Sequence, residues 1–164
     1  MIVVDTSSLI TLASVDVLST VLDEYDTHTT ETVVQELKET SRYDDTSAEA
    51  AETVLDRSDR ITIHRIDNGE FYSSRIDPGE GSCALLTKEL DADFLITDDL
   101  RALPELQTVA DSKVAISPFI LKALVQRGIL ERKDAVDKVD QIAEIRDWLG
   151  APIYRRARQL FNNE

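Results

Sequence analysis

The chain has 164 residues, 42% hydrophobic and 30% charged, with 32 acidic against 18 basic side chains and a net charge of −14. That size suits a single domain, 1–164, with a sizeable core, and one cysteine, Cys83, excludes an internal disulfide and a cysteine-rich metal site. No apolar run approaches the roughly 18 residues that cross a bilayer, and the opening Met1-Ile2-Val3-Val4-Asp5 has an acid where a signal peptide stays apolar, so a cytoplasmic protein with no membrane partner is expected.

Ile2–Val4 is too short and apolar for an amphipathic helix and reads as a buried parallel strand. Ser7 or Ser8 can cap a helix through Leu9, Ile10 and Leu12. Helical spacing continues at Val17, Leu18, Val21 and Leu22, and residues 25–29 suit a short strand. Thr29 or Thr30 then caps a helix over Glu31–Thr40 with Val33, Val34 and Leu37 as its apolar face. Residues 46–55 are Ala/Glu-rich and helical, whereas 60–66 alternate as a strand does. Asp77-Pro78-Gly79-Glu80 is a helix start, with proline at the first position and an acid three residues after the cap; the helix reaches about Leu90, with Cys83, Ala84 and Leu85 toward the core. Strands follow at 94–97 and 114–116, then helices over Ser117–Gln126, 132–149 and 152–161. Strands alternating with helices predict an α/β sandwich on a parallel sheet, with helices dominating the last third, about 117–161.

The chemistry-bearing pattern is acidic. Asp5 closes the first strand and the pair Asp98–Asp99 closes 94–97, the ends at which open parallel sheets bind ligands. With Glu36 and Glu80 on two helices, these carboxylates can meet in one pocket, and carboxylates that meet repel unless a cation such as Mg²⁺ or Mn²⁺ neutralises them. Each has a plainer reading. Asp5 can be a turn or cap residue, Glu36 a solvated helix glutamate flanking its apolar face, and Glu80 the acid of a capping box with Asp77. Asp98–Asp99 is the least ordinary signal, because two adjacent acids at a strand end repel without any benefit to folding. Only one need face an ion, since successive strand residues point to opposite faces.

His28 and His64 read as structural or exposed, without zinc-ligand spacing, and Cys83 as core. No glycine-rich phosphate loop is present. On the last helix Tyr154 precedes Arg155, Arg156 and Arg158, either a solvated basic face or a patch that contacts phosphates.

Four stretches in this order resemble the PIN-domain family of metal-dependent ribonucleases: Val4-Asp5-Thr6-Ser7, Thr32-Val33-Val34-Gln35-Glu36-Leu37, Gly79-Glu80-Gly81-Ser82-Cys83-Ala84-Leu85 and Leu95-Ile96-Thr97-Asp98-Asp99. The chain looks like the small members that serve as the toxin of a toxin–antitoxin pair (VapC-like). The resemblance implies a three-layer α/β/α sandwich and Mg²⁺ or Mn²⁺ held by Asp5, Glu36, Glu80 and one or both of Asp98 and Asp99. It makes Ser7 and Thr97 polar helpers and leaves Arg155 and Arg156 to guide an RNA substrate. An antitoxin partner and a homodimer are expected on the same ground. Many relatives carry aspartate where this chain has Glu80. Other classes are a non-catalytic α/β interaction module, an RNA-processing nuclease that is not a toxin, and a phosphoacceptor receiver domain. The receiver fits poorly, because Asp5 has no adjacent acid and Lys113 is badly placed for its lysine.

Charge is uneven along the chain. Residues 1–100 hold 23 acids and 7 bases, and residues 101–164 hold 9 acids and 11 bases, with 12 arginines against 6 lysines overall. Phosphate contacts normally demand the opposite sign from a net −14. An acidic, lysine-poor surface suits high intracellular salt, where charge keeps a protein soluble under strong screening. Thermal melts in dilute buffer and in molar KCl check this: folding and activity should both improve in KCl, and equal behaviour in the two would rule the adaptation out.

Overall fold

The structure is a computed structural model that describes residues 1–66, 75–110 and 113–162. Its centre is β1 (Ile2–Val4), three aliphatic residues buried on both faces, as expected of a strand covered by helices on each side. Strand β2 (Thr27–Thr30) pairs with one edge of β1 and β4 (Phe94–Ile96) with the other; β3 (Thr62–His64) and β5 (Lys113–Ala115) lie outermost. The order is β3-β2-β1-β4-β5, all parallel. The chain winds outward through β2 and β3, then crosses to the other side of β1 for β4 and β5. The reversal therefore falls between β1 and β4. A crevice opens there beyond the carboxyl ends of the two strands, the usual ligand position in such sheets.

The helices make the outer layers. Helix α5 (Pro78–Leu90) lies along β1, β2 and β4 and touches α3 (Glu31–Thr40) and α6 (Leu103–Val109). Helix α1 (Thr6–Ser14) gathers α4 (Thr46–Asp56), α7 (Ser117–Gln126) and α8 (Arg132–Ile145), while α2 (Leu18–Glu24) follows it and α9 (Pro152–Gln159) packs on α8. One continuous core joins Val3, Val4, Leu9, Leu12, Leu86, Leu95, Leu121 and Ile142, all at most 1% exposed. The α/β sandwich with a parallel sheet is therefore present, and the helix-rich last third packs onto the same core.

Several boundaries differ from the sequence reading, each for a local reason. The cap of α1 is Asp5 itself, whose side chain accepts the Ser8 amide, rather than Ser7 or Ser8. Strand β2 begins at Thr27 because Tyr25 still belongs to the end of α2, its amide donating to the Val21 carbonyl. Helix α6 has no counterpart in the reading: it is seven residues long and holds a proline in its first turn, so its periodicity is brief. Helix α8 stops at Ile145, four residues short of the predicted end, because Asp147 takes a left-handed φ of 57°. That turn buries Trp148.

Candidate active site

Asp5 is the first residue beyond β1, and its amide donates to the Ile96 carbonyl at 3.1 Å, so it is fixed to the neighbouring strand. It is 2% exposed. Its Oδ1 accepts the Ser8 amide at 3.1 Å and the Ser7 hydroxyl at 2.9 Å; its Oδ2 accepts the Thr97 hydroxyl at 2.6 Å. Burial pushes this carboxyl up to about 7 and the Asp98 charge adds to the rise, while the three hydrogen bonds pull the other way. Desolvation wins.

Glu36 reaches the same place from α3. Thr30 caps that helix by accepting the Val33 amide, and Val33 and Leu37 go into the core, which leaves Glu36 half-buried beside them. Its Oε2 accepts the Thr6 hydroxyl at 3.4 Å, but its buried Oε1 has no hydrogen-bond partner among the described residues. Burial, then Asp77 and Asp5, raise this carboxyl to about 7. The orphaned oxygen lies against the first turn of α5. A Cβ added to Gly79 would fall 1.7 Å from Glu36 Oε1, so the missing side chain at 79 makes room for the carboxylate.

Glu80 is the next residue on that turn and completes a capping box. Its amide donates to Asp77 Oδ1 at 2.8 Å, and its Oε2 accepts the Asp77 amide at 3.2 Å. Proline at the first position and an acid at the third make this start readable from sequence. Glu80 is 5% exposed, and burial, Asp77 and a hydrogen bond with Asp99 push it up to about 9. The Asp77 and Asp99 carboxylates beside it thus favour its protonated form.

The adjacent acids after β4 face different neighbours. Asp98 Oδ1 accepts the Ser117 amide at 2.7 Å and Oδ2 the Ser117 hydroxyl at 2.9 Å, so this carboxylate ties down the start of α7, which has no side-chain cap of its own. Burial raises it, and Ser117, Thr11 and Arg146 oppose the rise. Asp99 accepts the Arg101 amide at 3.0 Å, with Arg101 Nε at 3.7 Å, and stands beside Glu80.

The residues singled out from sequence thus divide. Asp5, Glu36, Glu80 and Asp99 come within electrostatic reach in the crevice beyond β1 and β4, joined by Asp77. Asp98 sits next to them with both oxygens engaged by Ser117. Ser7 and Thr97 both bond Asp5, and Ser7 Oγ also accepts the Asp98 amide at 3.2 Å. Arg155 and Arg156 are exposed on α9 with no bond to the acids among the described residues. Arg101 does reach an acid of the group, Asp99. Gly79 and Ser117 read in the sequence only as parts of helix starts, because their roles at the site arise from residues 43 and 19 positions away. His28 and His64, expected to be structural or exposed, meet with Nδ1 and Nε2 2.8 Å apart across the paired strands β2 and β3.

The donor set fits a hard divalent cation. Every candidate is a carboxylate oxygen, three of the carboxyls are raised as uncompensated neighbours should be, and Glu36 Oε1 is a buried acceptor with nothing to accept. Among the described residues no three Asp, Glu, His or Cys side chains close into a cage by themselves. Mg²⁺ is usually held by one or two carboxylates and keeps several waters, so a closed cage is not required. Gly79→Ala tests the contact at the heart of this arrangement. The added methyl should displace Glu36 and weaken Mn²⁺ binding at least tenfold, while the helix gains roughly 1 kcal/mol of propensity, so that melting is held or raised. Mn²⁺ affinity equal to wild type in a titration would mean the Glu36 carboxylate does not contribute.

No curated protein sequence and no solved structure matches the chain. A family model described as a PIN domain matches residues 1–163, nearly the whole length. PIN domains are generally metal-dependent nucleases, and this match, together with a five-stranded parallel sheet that has acids at its switch point, means that the chain belongs to the PIN-domain family.

Proposed function

We propose that the protein is an endoribonuclease that hydrolyses RNA phosphodiester bonds with Mg²⁺ or Mn²⁺ held by Asp5, Glu36, Glu80 and Asp99. The observation that carries this reading is the meeting of those carboxyls in one crevice, where Asp5 neighbours both Glu36 and Glu80, three of them are raised to between about 7 and about 9, and a buried Glu36 oxygen has no partner among the described residues. A divalent cation bound there would lower the pKa of a water and offset charge on the phosphodiester. The protein supplies the geometry. Ser7, Ser8 and Thr97 clamp both oxygens of Asp5, and Gly79 admits Glu36 to the end of α5. Burial and the neighbouring Asp77 and Asp99 carboxylates raise Glu80 to about 9, so a cation arriving there would displace its proton. Asp98, bonded to Ser117, holds α7 against β4 and so positions Asp99.

The acidic surface restricts how RNA approaches. In a chain of net −14, phosphates bind where cations stand, and the 11 bases of residues 101–164 are the available supply. A toxin role with an antitoxin partner and a homodimeric state follow from the resemblance to VapC-like proteins; an RNA-processing nuclease would use the same site. A small DNA-binding protein encoded beside this chain would favour the toxin.

Asp5→Asn and Asp99→Asn should each lower RNA cleavage by about two orders of magnitude or more, the scale of removing one charge-stabilising group, and should weaken Mn²⁺ binding. Asp98→Asn should act mainly on stability, at roughly 1–3 kcal/mol, because it disturbs the bonds to Ser117. Cleavage assays beside Mn²⁺ titrations decide. A non-catalytic interaction module would follow if neither Asp5→Asn nor Asp99→Asn changed cleavage and ion binding.

A further inference from the structure

The free edge of the sheet, away from the acids, has a cavity of about 450 Å³. Strand β5 forms its wall; it is the outermost strand, with β4 on one side and no strand on the other among the described residues. The floor is apolar and aromatic. Phe94 and Phe119 are half-buried and tilted by 40°, their ring centres 5.1 Å apart, and Leu103 lies beside them. Gln107, Lys113 and Arg156 are polar groups at the rim, and no acid lines the cavity among the described residues.

The charge at this rim is out of keeping with the chain. With 32 acids for 18 bases, a cation here has carboxylates to choose from. Several take them: Arg60 pairs with Asp23, Arg127 with Glu24, and Arg158 with Asp140, two positions beyond Arg156 on α9. Lys113 and Arg156 have no ion pair among the described residues. Lys113 instead lies over the Phe94 ring, its Nζ 5.8 Å from the centroid. Two unpaired cations above an aromatic floor, in a cavity within the roughly 300–1,000 Å³ range of small-ligand sites, specify the occupant's chemistry. It carries a flat apolar ring for the phenylalanines, an anion for the cations and a hydrogen-bonding edge for Gln107.

We infer that this edge groove binds a nucleotide, its base against Phe94 and Phe119 and its phosphate at Lys113 and Arg156. Inorganic phosphate would satisfy the cations and leave the floor bare; an uncharged apolar molecule would do the reverse. That the nucleotide belongs to an RNA chain rests on the nuclease reading. Phe94 opens β4 (Phe94–Ile96) and Asp99 follows three residues after its end, so the five residue steps between them reach at most roughly 18 Å and a short run of RNA spans both sites.

The test is calorimetry with AMP, inorganic phosphate and a short RNA, on the full chain with Asp5→Asn and without divalent cation, so that nothing is cleaved. AMP should bind at least tenfold more tightly than phosphate. A Lys113→Glu/Arg156→Glu background, exposed positions where folding can be verified by thermal melting, should weaken AMP and RNA at least tenfold. Phe119→Leu, which keeps an apolar side chain at this half-buried position and removes the ring, should weaken AMP and leave phosphate unchanged. AMP binding that survives the double charge reversal, or phosphate binding as tightly as AMP, overturns the inference, as does no AMP binding at all. AMP binding sensitive to the double reversal with RNA binding indifferent to it assigns the groove to free nucleotides and overturns the RNA arm alone. Should wild type cleave no RNA while AMP binds as described, the nuclease reading fails and the nucleotide site stands.

Discussion

Like charge held out of water is the constraint around which the rest is arranged. Asp5 is nearly sealed by the strand that precedes it and the helix it caps, and three donors on its two oxygens do not offset the loss of water, since its carboxyl still rises to about 7. Glu36 and Glu80 enter the same region from α3 and α5, and each raises the difficulty for the next. A protein evolving for stability alone would not keep such a cluster, because uncompensated buried charge is among the costliest features of a fold. In the cation-free molecule protons do the compensating. A divalent cation would do so better.

The scaffold meets that constraint through rigid elements. The sheet reverses its winding between β1 and β4, so the strand ends that lead into Asp5 and into Asp98–Asp99 are neighbours by hydrogen bonding. Helix α5 delivers Glu80 through its capping box, whose two backbone bonds also set the orientation of the first turn. Gly79 on that turn leaves the space that Glu36 fills. Asp98 and Ser117 fasten α7 to the far side of β4. The acids and the positively charged edge groove thus share one strand, and the groove offers phosphates a foothold that the acidic crevice lacks.

How much of this could be read from sequence depends on whether the cause was local. The strand β1, the capping box at Asp77–Glu80, the Thr30 cap and the α/β alternation rest on neighbouring residues, and the chain states them directly. Which of Asp98 and Asp99 is engaged elsewhere is not legible in the sequence, because it turns on Ser117, brought alongside by β5 pairing with β4. Strand periodicity did predict that the two acids would part. Glu36 looked like a solvated helix glutamate because nothing within its own helix shows that α5 will cover it. Gly79 was read as part of a helix start, and its second role emerges only when a Cβ is placed there. The His28–His64 contact is the same kind of event, created by the register of parallel strands. Arg155 and Arg156 were grouped by adjacency, yet it is Arg156 with Lys113 that lines a common surface.

The central claim is that the raised carboxyls of the crevice are where the cation binds, and proton release measures that most directly. Asp5 and Glu36 at about 7 and Glu80 at about 9 are wholly or partly protonated in the cation-free protein at neutral pH. A cation binds the ionised forms, so its arrival must expel protons, and its affinity must rise as pH climbs through those values. Calorimetric titration of Mn²⁺ at pH 7 in buffers of different ionisation enthalpy counts those protons. The account predicts the release of about one proton or more per ion and tighter binding at pH 8 than at pH 6. Binding without proton release, equal in affinity at the two pH values, would contradict it.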